Sequence, residues 1–127
     1  MEFSRDKAIY QQIADLVFES ILSGHWLEEE RIPSTRELAV SLEVNPNTVI
    51  RAYTYLQENG IIFNRRGIGY FVHSEAKGKI KEIKREQFIK MELPRLVRWM
   101  NLLGIRFDEL EEIHAKSMSN EQTNKSW

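Results

Sequence analysis

Asn47, Thr48 and Arg51, with Ile50 between them, bring a carboxamide, a hydroxyl and a guanidinium to one short stretch of chain. These groups read base edges in the DNA major groove: Asn pairs with adenine through two bonds, Arg with guanine, and Thr or Ile touches a thymine methyl. Such a set works when a helix carries it at its N-terminal end, the end that enters the groove. Asn45 and Pro46 supply that start, because Asn caps a helix well and Pro suits the first position, where its missing N–H has no partner to lose. A capped and solvated surface helix is the other reading of the same residues. Ser34, Thr35 and Arg36 form a second set. Ser34 and Glu37 make a Ser-x-x-Glu capping box, and the free N–H groups and positive dipole end of the helix they open favour a phosphate. The competing reading has Ser34 merely capping and Arg36 paired with a carboxylate; capping and phosphate binding are compatible. Arg65, Arg66 and Gly67 form a third set, a basic turn that can follow the backbone or enter the negative minor groove, or simply stay solvated. Tyr53 and Tyr55 carry hydroxyls suited to phosphates, but Tyr53 falls on a packing stripe.

Catalytic chemistry finds little footing. Ser34 is a cap and not a nucleophile, and neither a Walker-type Gly loop nor a nucleophile motif occurs. Glu111 and His114 have an i, i+3 spacing, yet His25 and His73 lie in other segments and no His-Glu-x-x-His run exists, so no metal and no cofactor are expected.

Short elements must hold these residues. Ile9, Ile13, Leu16, Val17 and Ile21 recur at helical spacing before Gly24, predicting an amphipathic first helix that ends near Ser23. After the acidic turn Glu28-Glu29-Glu30, a second helix spans about Thr35 to Leu42, Glu43-Val44 is a turn, and a third helix runs from Pro46 to about Asn59, stopped by Gly60. On that third helix Val49, Ala52, Tyr53 and Leu56 form the packing stripe, while Asn47, Thr48, Arg51 and Tyr55 face out. Ile61-Ile62-Phe63 and Tyr70-Phe71-Val72 are β-prone and joined by a loop over 64–69, which reads as a hairpin, or wing. Residues 74–79 are polar, contain Gly78 and read as a linker. Beyond it Ile80, Ile83, Phe88, Ile89, Leu93, Leu96, Val97, Met100 and Leu103 continue at helical spacing across Pro94, which predicts a kinked helix ending at Gly104. A short helix over 108–116, with Leu110 and Ile113 inward, and a frayed tail from Ser119 complete the chain. The fold class expected is α+β and mainly helical: a winged helix-turn-helix over 1–74, a helical dimerisation region over 75–118 and a disordered tail over 119–127.

At 127 residues, no large catalytic or ligand-sensing domain is expected beside this one. It contains no cysteine, which removes disulfides, thiolate zinc sites and thiol redox switches together. No apolar run is long enough to span a bilayer, and Met1 to Asp6 lacks a secretion signal, so the expected address is cytoplasmic, with no membrane partner. The net charge is −1, and residues 1–74 carry seven basic and ten acidic side chains. Charge-driven binding to any nucleic acid is therefore disfavoured; cations must be placed locally.

The order helix, short helix, turn, helix, hairpin is that of a winged helix-turn-helix. The segments Ile9-Tyr10-x-Gln12-Ile13, Ile21-Leu22-x-Gly24, Ile32-Pro33-Ser34-x-Arg36-Glu37-Leu38-Ala39, Val44-Asn45-Pro46-Asn47-Thr48-Val49, Ala52-Tyr53-x-x-Leu56, Gly60-Ile61 and Gly67-x-Gly69-x-Phe71-Val72 resemble the DNA-binding domain of the GntR family of bacterial regulators. The short two-helix tail resembles that of the family's YtrA branch. The resemblance implies a double-stranded DNA operator as partner, a DNA contact by Arg36, dimerisation through the tail, repression more often than activation, and control of transporter genes. This chain has Glu29 where the family commonly has glycine, and Pro46 and Ile50 where many members have arginine.

The tail residues Phe88, Leu93, Leu96, Val97, Trp99 and Met100 are more apolar surface than a lone helix pair can bury. A second copy of the chain would cover them with two-fold symmetry; folding back on the winged domain is the alternative. A homodimer predicts a palindromic operator with half-sites about 34 Å, or a multiple, apart. A small-molecule effector, not identifiable from sequence, would bind at the junction with the tail or in the dimer cleft. A winged-helix adaptor for proteins, without DNA affinity, is the competing class.

Overall fold

The computed structural model describes residues 7–124, with side chains through residue 120. The chain divides into two compact units, the first ending at Lys84 and the second starting at Arg85.

The first unit is built on three helices whose stripes meet in one core. In α1 (Ile9–Leu22) Ile13, Ala14, Val17, Phe18 and Ile21 are buried; Ile13, Val17 and Ile21 are the expected stripe, Ala14 and Phe18 extend it, while Ile9 at the first turn is 46% exposed and Leu16 only half-buried at the edge of the face. Leu38 and Ala39 of α2 (Thr35–Leu42) and Val49, Ala52, Tyr53 and Leu56 of α3 (Pro46–Glu58) close on it. Glu43 turns the chain between α2 and α3 in the left-handed region, φ 57°, and Gly60 does so after α3, φ 70°.

The hairpin is longer than its apolar residues suggest. β1 (Ile62–Arg65) and β2 (Gly69–Val72) pair antiparallel from Ile62↔Val72 to Arg65↔Gly69. Asn64, Arg65 and Gly69, expected in the loop, are therefore in the ladder, and the tip shrinks to 66–68. A segment unseen in the sequence joins from the other side: Ile32 N–H donates to the Tyr70 carbonyl at 2.9 Å, Val72 N–H to Glu30 at 3.1 Å and Glu29 N–H to Val72 at 2.7 Å. Glu29 lies at φ 66°, in the left-handed region that favours glycine, so the turn keeps a glycine-like geometry although a residue with a side chain occupies it.

The linker expected over 74–79 is helical from Ala76 onward, the start of α4 (Ala76–Gln87). Ala76 and Ile80 are fully buried in the core of the first unit, Ile83 packs against it, and the unit runs to Lys84 instead of stopping near residue 75. Gly78 has nothing within 4 Å of where a Cβ would be, so it stands on the open side and does not break the helix. Lys7 and Lys84 both pair with Asp15 of α1, Lys84 at 2.6 Å. Burial works to raise the Asp15 pKa, but the two lysine hydrogen bonds and charges outweigh it and hold the carboxyl below its ordinary value.

In the second unit a π-helical turn, Phe88–Glu92, precedes α5 (Leu93–Leu103). The Leu93 N–H reaches back five residues to the Phe88 carbonyl. Pro94 next to it has no N–H to give, and this wider turn is how the helix passes the proline without breaking. Gly104 ends α5 at φ 69°. The last helix, α6 (Phe107–Asn124), is longer than the 108–116 expected; of the tail expected to fray, 119–124 is helical and 125–127 lies outside the described residues. Ile113, expected to point inward, is 63% exposed.

Candidate nucleic-acid interface

At the start of α2 both halves of the capping box are formed. The Glu37 N–H donates to the Ser34 hydroxyl at 3.1 Å, and the Ser34 N–H donates to the Glu37 carboxylate at 3.2 Å. That backbone bond to the charged form keeps the Glu37 carboxyl below its usual pKa. Ser34 is thus a cap. Arg36 is exposed and, among the described residues, makes no ion pair, so the carboxylate pairing weighed for it is absent.

The start of α3 is capped by Asn45, whose side-chain oxygen accepts from the Asn47 N–H at 2.9 Å, with Pro46 in the first turn. Asn47 and Arg51 are exposed, Thr48 is half-buried and Ile50 is 47% exposed. The Arg51 guanidinium lies over the Tyr10 ring, 4.0 Å from its centroid.

Tyr55 leaves the outward stripe to which the helical spacing assigned it: it packs against the core, its ring 6.5 Å from Phe18. The Tyr53 hydroxyl donates to the Pro33 carbonyl at 2.7 Å, locking the entrance of α2 to α3. Burial pushes its pKa far up, so it stays a neutral donor to protein and is not available to a phosphate.

The two wing arginines differ. Arg65 lies over Phe71 at 4.9 Å and Phe63 at 5.7 Å, two rings stacked 5.7 Å apart. Arg66 and Gly67 are at the exposed tip, with Gly67 at φ 80°. Arg65 also lines an open cleft of about 540 Å³ with Glu29, Phe63, His73 and Ser74. Neither the place of Tyr10 nor this aromatic ladder is visible in the local sequence. The pairing of Phe63 with Phe71 follows once the hairpin register is known, whereas nothing local links Tyr10 to Arg51.

Elsewhere, Glu111 and His114 are exposed, and no cluster of metal-ligating side chains exists among the described residues. The His73 Nδ1 accepts from the Glu75 N–H at 3.1 Å, a structural role at the start of α4. No helix among the described residues is long and apolar enough to cross a membrane. In the second unit Phe88, Leu93, Leu96, Val97 and Trp99 are 38–53% exposed, while Met100 is buried within the single chain.

Comparison with known proteins agrees with this geometry. The family described as bacterial regulatory proteins, gntR family, matches residues 9–72. The chain is 36% identical to the HTH-type transcriptional repressor YtrA of Bacillus subtilis over 104 residues, 82% of this chain and 79% of that protein. A GntR-family transcriptional regulator from Bacteroides thetaiotaomicron shares 46% identity with a TM-score of 0.73, over 90% of this chain and 99% of its own. The AraR DNA-binding domain in complex with operator ORR3 superimposes at a TM-score of 0.51 and 28% identity, over 57% of this chain and 84% of that one.

Proposed function

The chain belongs to the GntR family of bacterial regulatory proteins, and from that premise we propose that this DNA-binding transcription regulator is a repressor that grips a palindromic operator as a homodimer. The observation that carries the reading is the outer face of α3. Asn47 and Arg51 are exposed there, and the Arg51 side chain makes no hydrogen bond or ion pair among the described residues. A helix start with unspent amide and guanidinium donors is what base-edge readout requires. Arg36 and Arg66, exposed and without ion pairs among the described residues, are the phosphate-gripping residues, with the Thr35 and Arg36 N–H groups open beyond the Ser34 cap. Arg65 supports the wing tip from its place on Phe63 and Phe71.

Two further features support the finer parts of the proposal. Repression accords with the name of the Bacillus subtilis relative, a transcriptional repressor. Homodimerisation accords with the half-exposed Phe88, Leu93, Leu96, Val97 and Trp99, large side chains that a second copy would cover. An effector that alters operator affinity, a transport operon as target and a cytoplasmic setting belong to the same proposal.

The test is a selection of random duplexes on the purified chain, followed by titration of the enriched site at two salt concentrations. An enriched palindrome bound by two chains, with affinity falling as salt rises, is the expected result. Failure to enrich any duplex at low salt, with and without cell-extract metabolites, would replace the operator reading with that of a protein-binding adaptor.

A further inference from the structure

We propose that Tyr10 sets the base specificity of this interface by holding the Arg51 guanidinium flat, so that Arg51 meets a guanine as a fixed fork. The inference rests on the operator reading above and assigns a positioning role to a residue of α1, outside helices α2 and α3.

Three observations carry it. The Arg51 guanidinium carbon is 4.0 Å from the Tyr10 ring centroid, close enough for the ring face to attract the cation. None of the Arg51 guanidinium N–H donors is spent on a protein acceptor among the described residues, so contact with the ring face restrains the group and leaves its donors open. The platform is itself anchored: Tyr10 packs partly against the core one turn ahead of the fully buried Ile13 and Ala14. A free arginine loses much side-chain freedom when it forms a two-bond contact, whereas a stacked planar fork has already lost part of it. The hydroxyl plays no part in this account; among the described residues its hydrogen bond is one accepted from the Gln11 amide at 3.5 Å. A ring without the hydroxyl must therefore serve as well.

The experiment uses the full chain and the duplex it selects, competed against every single-base variant of that duplex. Arg51→Ala is expected to erase preference at one guanine per half-site, a loss of roughly 5- to 150-fold in discrimination there. Tyr10→Leu is expected to lower discrimination at that same base pair by about two- to fivefold, Tyr10→Phe to keep it, and Tyr10→Leu to add nothing in an Arg51→Ala background. In the free protein, the Arg51 δ-proton resonances should show an upfield ring-current shift that Tyr10→Phe retains and Tyr10→Leu abolishes, a check that does not depend on DNA. Discrimination unchanged in Tyr10→Leu overturns the proposal. So does a loss spread evenly over all positions with a shallower salt dependence, the signature of a phosphate contact, or the absence of the ring-current shift in the unmodified protein. If the unmodified protein enriches no duplex, the operator reading falls and takes this one with it; if it enriches one and the Tyr10→Leu profile is flat, only the role of Tyr10 falls.

Discussion

Replacing Ile80 by alanine tests whether α4 is part of the DNA-binding unit or a connector leaving it. Ile80 is 0% exposed and belongs to the same core cluster as Ile13, Val49 and Leu56. The substitution removes a buried ethyl and a methyl branch, at about 0.8 kcal/mol per carbon group, and leaves a cavity whose cost adds to that, for a total of about 3 kcal/mol. For a unit of this size such a loss corresponds to a fall in melting temperature of roughly 12–24 °C. The assay is urea unfolding followed by circular dichroism at one fixed protomer concentration, since association would itself add stability. The midpoint should fall at unchanged slope. Lys81→Ala, on the exposed side of the same helix, is the control and should stay within about 0.5 kcal/mol. An Ile80→Ala chain that unfolds within about 1 kcal/mol of that control would refute the reasoning, because a linker residue can be truncated freely and a core residue cannot. Fragments offer a second check: one ending at Glu75 should be far less stable than one ending at Arg85.

Glu29 and Glu43 occupy left-handed backbone at φ 66° and 57°, which costs a side-chain-bearing residue about 1–2 kcal/mol. Glycine recovers that at some loss of chain entropy, so Glu29→Gly or Glu43→Gly should each raise stability by roughly 0.5–1 kcal/mol in the same urea assay; a decrease would mean that the glutamate side chain stabilises the fold through contacts. The Asp15 carboxyl is held below its ordinary pKa by Lys7 and Lys84 despite the opposing effect of burial, so its stabilisation is complete above the unfolded-state value near 4 and fades as pH falls through the lower folded-state value. The stability difference between the unmodified chain and Asp15→Asn should therefore be constant from about pH 7 to 5 and shrink below about pH 4; a difference that grows on acidification would contradict the sign. Ser34→Ala removes the acceptor of the Glu37 N–H and should cost about 1 kcal/mol of stability, measured by thermal melting, while leaving the base preferences of the enriched duplex in place.

Features written in local chemistry are legible in the sequence alone. The Ser34–Glu37 box, the Asn45-Pro46 start, the stops at Gly60 and Gly104, the buried stripe of α3 and the Ile13, Val17 and Ile21 centre of the α1 stripe each depend on neighbours within a turn or two, and each appears where the residues place it. What escapes depends on distant partners. Ala76 is a weak hydrophobic signal beside Gly78 in a polar stretch, and only the core waiting to receive it turns that stretch into helix. Residues 29–32 have no strand-like alternation, because it is β2 that supplies their hydrogen-bond partners. Tyr55 sits at the shoulder of its helix, where spacing alone does not decide between solvent and the Phe18 ring. Arg51 and Tyr10 meet only because α1 lies beside α3.

The slightly acidic balance of the winged region argues against DNA, and the arrangement of its charges shows why the sum misleads. Asp15 is paired with two lysines and Glu37 is occupied in a helix cap. Arg36, Arg51 and Arg66, by contrast, are exposed without ion pairs among the described residues. The carboxylates that could quench the interface are in part engaged elsewhere, and the cations that could serve it are not. With so few phosphate-directed cations, non-specific affinity should be low and the salt dependence shallow, since each neutralised phosphate contributes about one unit of slope. On the proposed reading the operator preference comes from directional contacts of Asn47 and Arg51, so loss of one such side chain should weigh more heavily on specificity than on salt-dependent affinity.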